Sequence, residues 1–94
     1  MTTLSDAEID ERLASAGEWR RGDQRTIVRE LKFSDFASAV AFVNRVAELA
    51  EQANHHPDIL IHGWNKVRLT LSTHSEGGLT EADFKMAARI DDLA

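Results

Sequence analysis

Ninety-four residues, 43% of them hydrophobic, can bury one core but not two. Sixteen acidic residues against eleven basic ones give a net charge of -5, and no basic run of the kind that tracks phosphates occurs, so direct binding to nucleic acid is not expected. The absence of cysteine excludes disulfides, thiolate metal ligands and a cysteine nucleophile.

The chain starts with "MTTLSDAEIDERLASAG", which is acidic and amphipathic and lacks the basic end and apolar block of a secretory signal. No stretch approaches a membrane span, so a cytoplasmic protein without membrane attachment is expected. Ser5 is placed to cap a helix, Glu8 completes a capping box and Leu4 can staple against Ile9, with Gly17 as the stop. Two short strand-like runs around Gly22-Asp23 predict a hairpin.

From Ser34 the period changes to that of a helix of about 20 residues, roughly 30 Å long. Phe36, Val40, Val43, Ala47 and Ala50 form its predicted buried stripe, while Phe42, Val46 and Leu49 widen the apolar face beyond it. "DILIHGWNKVRLTLSTH" then reads as two strands around His62-Gly63-Trp64-Asn65. The second strand alternates Val67, Leu69 and Leu71 with Lys66, Arg68, Thr70 and Ser72. After the loop "SEGG", Thr80 caps a last helix.

The order is α-β-β-α-β-β-α, and short turns within each strand pair predict an α+β fold: a four-stranded antiparallel sheet with helices packed on one face. The other face is left to solvent or to another subunit. With no repeat, low-complexity segment or linker, residues 1–94 read as one domain.

Three of the four histidines fall at element ends, His55 and His56 after the long helix and His74 after the alternating strand. A helix C-terminus favours a positively charged imidazole, which suits a general acid working near neutral pH. The plainer reading is that such histidines cap free carbonyls, and His-Pro is an ordinary helix terminator. A zinc site is a third reading, but adjacent histidines rarely reach one ion and the i, i+4 helical pair is absent.

Other residues also carry two readings. Asp83 completes a capping box with Thr80 or serves chemistry, and Glu51, on the last turns of the helix, is a weaker candidate that reads as a solvated charge. Trp64 and Trp19 are structural anchors or aromatic walls for a flat ligand. His62, in the apolar "ILI" strand, reads as structural. No G-x-S-x-G elbow or phosphate-cradling glycine loop after a strand is present.

Taken together, "EQANHHPDI", "GWNKVRLTLSTH" and "GGLTEADFKMAARID" resemble the pterin-4a-carbinolamine dehydratase family, whose animal members are also dimerisation cofactors of a homeodomain factor. The matching pattern is Glu51, His55-His56-Pro57, Trp64, His74 and Asp83; the segment from Asp58 to Trp64 is a residue longer than in animal members. The resemblance implies loss of water from 4a-hydroxytetrahydropterin to give quinonoid dihydropterin, with no metal or organic cofactor. It assigns proton transfer to His55 and His74 and polarisation of the substrate to His56. Glu51, Pro57, Trp64, Ser72, Thr73 and Asp83 are then the residues expected to bind or orient the pterin.

The resemblance also implies a homo-oligomer, a dimer or tetramer, and raises a competing function as a non-catalytic interaction module. The apolar residues left over on the long helix, Phe42, Val46 and Leu49, suit self-association. The histidine set discriminates between the two, because an interaction module has no use for His55, His56 and His74 together.

Overall fold

A computed structural model describes residues 2–23 and 25–94. The elements in order are α1 (Asp6–Ala14), β1 (Arg20–Arg21), β2 (Ile27–Lys32), α2 (Phe36–Ala53), β3 (Asp58–His62), β4 (Lys66–Leu71), a 3-10 turn (His74–Glu76) and α3 (Glu81–Asp91). All strand pairs are antiparallel, in the spatial order β1-β2-β4-β3, and the helices cover one face. This is the predicted α+β architecture.

The caps follow local chemistry. Ser5 and Glu8 close a complete capping box on α1, with Leu4 packed on the core and Ile9 buried. The helix ends at Ala14, earlier than the expected stop, and Gly17 lies beyond it in the left-handed region at φ 63°. Asp35 caps α2 by accepting the Ser38 amide at 2.7 Å, which holds its carboxyl below its ordinary pKa of 3.8.

Alternation along β4 is obeyed: Val67, Leu69 and Leu71 are fully buried under the helices, facing Ile27 of β2 and the partly buried Ile61 of β3. Lys66, Arg68 and Thr70 share the outer face with Glu30, Lys32, Leu60 and His62. Glu30 binds both Arg68 and Arg20 there, and those guanidiniums, Arg68 foremost, lower its carboxyl pKa. Trp19 is a core anchor rather than a ligand wall: it is 3% exposed and its Nε1 donates to Asp91 at 2.8 Å.

The long helix buries a different stripe from the one its periodicity suggested. Ala39, Phe42, Val46 and Ala50 face the sheet, whereas Phe36 is 54% exposed and Ala47 is also exposed. The helix is apolar over much more than one face, so a rotation of a little under one residue step of about 100° selects between two plausible stripes. Shape decides it, because Phe42 meets Phe33 at a centroid distance of 5.1 Å beside the sheet. The apolar residues left over are therefore Phe36, Val40 and Ala47, while Phe42, Val46 and Leu49 are buried or packed on the core.

Candidate active site

Helix α2 ends because Asn54 adopts a left-handed conformation (φ 50°, ψ 43°), its amide and that of His55 returning to the carbonyls of Glu51 and Ala50. The reversal of the chain thus occurs at Asn54, one of the few non-glycine residues that tolerate this region, and Pro57 serves to lead into β3. The two histidines that follow leave the helix in different directions, which accounts for their adjacency. His55 turns inward and is 15% exposed; its Nε2 lies 2.6 Å from Oδ1 of Asp83, which is 0% exposed. His56 turns back along the helix surface, its Nε2 2.5 Å from Glu51 Oε2, with both side chains largely in solvent.

Asp83 stands in the first turn of α3 and completes the capping box with Thr80. The capping reading holds, and the same carboxylate also meets a histidine. Oδ2 accepts the Thr80 amide at 2.9 Å and the Thr73 hydroxyl at 2.7 Å, while Oδ1 faces His55. Three donors converge on a group with two acceptor oxygens, which suits a carboxylate. Thr73, just past β4, is pinned by an antiparallel bridge to Gly78, so the end of the sheet and the start of α3 are clamped together under His55.

A cleft of about 330 Å³ opens over this cluster, lined by Ala53, Asn54 and His55 from the α2 end, Thr73, Ser75 and Glu76 from the 3-10 segment, and Ala82 from α3. A second hollow of about 200 Å³ shares Ala53, His55 and Ala82 and continues to Lys85, Met86 and Arg89. His55 is the one titratable side chain that lines both. A larger groove, about 480 Å³, runs between α1 and α3, where Arg12 pairs with Glu81 and no histidine lines it. Chemistry rather than size places the candidate site at His55, since an oriented imidazole there can carry a proton to or from a bound ligand.

The structure brings His55, Thr73 and Asp83 together. It sets His56 and Glu51 beside them as an exposed pair, with the partly buried Pro57 and Ser72 at the same end of the sheet. His74 opens the 3-10 turn immediately after Thr73 and is exposed, outside the lining of either hollow. Trp64 is not brought together with them. It sits in the β3–β4 turn with φ 57° and is 62% exposed, whereas the cleft lies at the other end of the hairpin, where Asp58 pairs with Thr70. That separation exceeds about 13 Å, four strand steps of about 3.3 Å. His62 is on the outer sheet face near Glu30, away from the cluster.

Thr80 was legible as a cap but not as a member of the site, and Asn54 carried a signal, a residue suited to left-handed backbone before His-His-Pro, that pattern reading passed over. Among the described residues no group of three or more His, Asp or Glu side chains is placed to hold a metal ion, and no helix is long and apolar enough to cross a membrane.

Comparison with known proteins places these observations in a family. A sequence model described as pterin 4 alpha carbinolamine dehydratase matches residues 2–93. Proteins from Chloroflexus aggregans and Acidobacterium capsulatum, both bearing provisional pterin-4-alpha-carbinolamine dehydratase names, are 50% and 53% identical over 93 residues, covering 99% of this chain and 98% and 99% of their own. The crystal structure of a transcriptional coactivator/pterin dehydratase from Brucella melitensis superposes with a TM-score of 0.92 at 39% identity, covering 99% of both chains. A pterin dehydratase-like protein identified as a RuBisCO assembly factor in the alpha-carboxysome gives a TM-score of 0.69 at 33% identity over 82% of this chain and 89% of its own.

Proposed function

Because this chain belongs to the pterin 4 alpha carbinolamine dehydratase family, we propose that it removes water from a 4a-hydroxytetrahydropterin to give the quinonoid dihydropterin, with the His55–Asp83 pair as the central proton-transfer device. The observation that carries this reading is the 2.6 Å contact between His55 Nε2 and the fully enclosed Asp83, at the edge of a cleft large enough for a small molecule. In the reaction the C4a–O bond breaks, the leaving hydroxyl takes up a proton, and N5 gives one up. The overall change is loss of one water with no electron transfer, so imidazoles titrating near neutral pH are suitable carriers.

His55 and His74 take the two proton transfers in this scheme, and His56, held by Glu51, polarises the substrate. Asp83 orients His55 as a carboxylate orients the histidine of a catalytic triad. Thr73 contributes a hydroxyl to the cleft lining, which Ser72 does not reach. Within one chain Trp64 is too far from His55 to touch the same ligand, so a contribution from it requires a second copy. The direct test supplies freshly formed 4a-hydroxytetrahydropterin and follows quinonoid formation spectroscopically. Acceleration by this protein, lost in His55→Ala, supports the reading; no acceleration by the wild-type chain removes it.

A role as a homo-oligomeric interaction module is favoured by a separate observation, the exposure of Phe36, Ile59 and Leu60 on α2 and on the open edge strand β3. Self-association through these surfaces is compatible with catalysis. Of the structural relatives, one is described as a transcriptional coactivator/pterin dehydratase and one as a RuBisCO assembly factor, which supports an interaction role.

A further inference from the structure

The donors around Asp83 can be counted, and the count fixes their directions. A threonine hydroxyl has one proton to give. Thr73 donates its proton to Asp83 Oδ2 at 2.7 Å, so in its 2.9 Å contact with Thr80 Oγ1 it must accept. Thr80 is therefore the donor in that contact, and its own oxygen accepts the Ala82 amide at 3.3 Å. The result is a one-way relay from Thr80 through Thr73 to Asp83. With the Thr80 amide also on Oδ2, that oxygen has two donors, and Oδ1 is left to His55.

A carboxylate oxygen can only accept, so the nitrogen facing it, Nε2, carries the proton in the neutral ring. No described residue bonds to Nδ1 of His55, whose ring lines both hollows. We infer that Thr80, which lines neither hollow, is a positioning residue: through Thr73 and Asp83 it holds neutral His55 in the tautomer protonated at Nε2, making Nδ1 the nitrogen that exchanges a proton with the ligand. Whichever of the two transfers falls to His55, it uses this atom. A neutral ring accepts at Nδ1, and once it has accepted, Nδ1–H is the donor.

Burial is what gives Thr80 this role. It is 0% exposed, so no solvent replaces its hydroxyl when that group is removed, and the Thr73 oxygen beneath it is left without its donor. The tautomer assignment stands on geometry alone, whereas its effect on rate rests on the dehydratase reading above, and the two are separable by experiment.

Long-range 1H–15N correlation spectra of 15N-histidine-labelled protein, recorded where the rings are neutral, report the protonated nitrogen of His55 directly. The wild-type chain and Thr80→Ser are expected to show the Nε2–H form. Thr73→Val and Thr80→Val are expected to move the ring toward a tautomer mixture and to lower kcat by about tenfold, the scale of a supporting residue, with KM unchanged for Thr80→Val. Because the two hydroxyls act in series, the double variant should lose no more than Thr73→Val alone. A folded Thr80→Val protein that keeps both the tautomer and the wild-type kcat overturns the inference. So does loss in Thr80→Val with none in Thr73→Val, which would trace the effect to the α3 cap. If the wild-type chain dehydrates no pterin yet its tautomer shifts in the variants, the positioning role stands and the dehydratase reading fails.

Discussion

The first turns of α1 and α3 carry the same capping box and put it to different uses. In α1, Ser5 accepts the Glu8 amide at 3.2 Å and Glu8 returns to the Ser5 amide at 2.9 Å, all in solvent. In α3, Thr80 and Asp83 make the corresponding pair, but Asp83 is enclosed and its second oxygen meets His55. The motif is local, whereas its use depends on what the fold packs against it. A capping carboxylate becomes part of a site when burial removes competing water and brings a titratable ring to its free oxygen.

Substitutions in the two boxes should separate these uses. The largest effect is expected for His55→Ala, which removes the proton carrier and should lower kcat for dehydration by about 10²-fold or more in the pterin assay. Asp83→Asn keeps an acceptor for the cap but loses the carboxylate behind His55, and should lower kcat by about 10–100-fold with little change in circular dichroism. The matching change in α1, Glu8→Gln, should leave kcat at the wild-type value. Equal losses in Asp83→Asn and Glu8→Gln would erase the distinction between the boxes.

Stability should respond in the opposite sense. Ser5→Ala is expected to cost about 1 kcal/mol in urea unfolding while the rate stays unchanged, because only a helix cap is lost. The smallest effect lies in the acid limb of stability. Glu8 is held below its ordinary pKa of 4.5, first by the Ser5 backbone amide and then by the Ser5 side chain. A lowered folded-state pKa contributes stability above the unfolded value that is lost as pH falls through the folded one. Unfolding midpoints measured below about pH 4.5 should therefore fall less steeply in Glu8→Gln than in the wild type, an effect kept small by full exposure.

Much of the fold was legible because its determinants are local. Ser5, Thr80 and the alternation of Val67, Leu69 and Leu71 act through bonds and faces spanning two to four residues, and each appears in the structure where the pattern places it. The stripe of α2 was misread because periodicity measures where apolar residues recur and not which recurrence meets the sheet. The pairing of His55 with Asp83 spans 28 positions, and no local rule joins them. The matched motif marked both residues, but not Thr80, whose cap role hid a second bond.

By itself, the sequence determined the elements, their caps and which titratable side chains were available at the element ends, since propensity, hydrogen bonding within a turn and side-chain chemistry are properties of neighbours. Only the tertiary structure decided which face of α2 is buried, that Asn54 turns His55 inward and His56 outward, and that Trp64 lies at the far end of its hairpin. It also decided that one of two similar capping carboxylates is sealed from water against a histidine. Burial and the meeting of distant residues arise when the sheet and helices close on one another, and that closure turned a helix cap into the floor of a candidate active site.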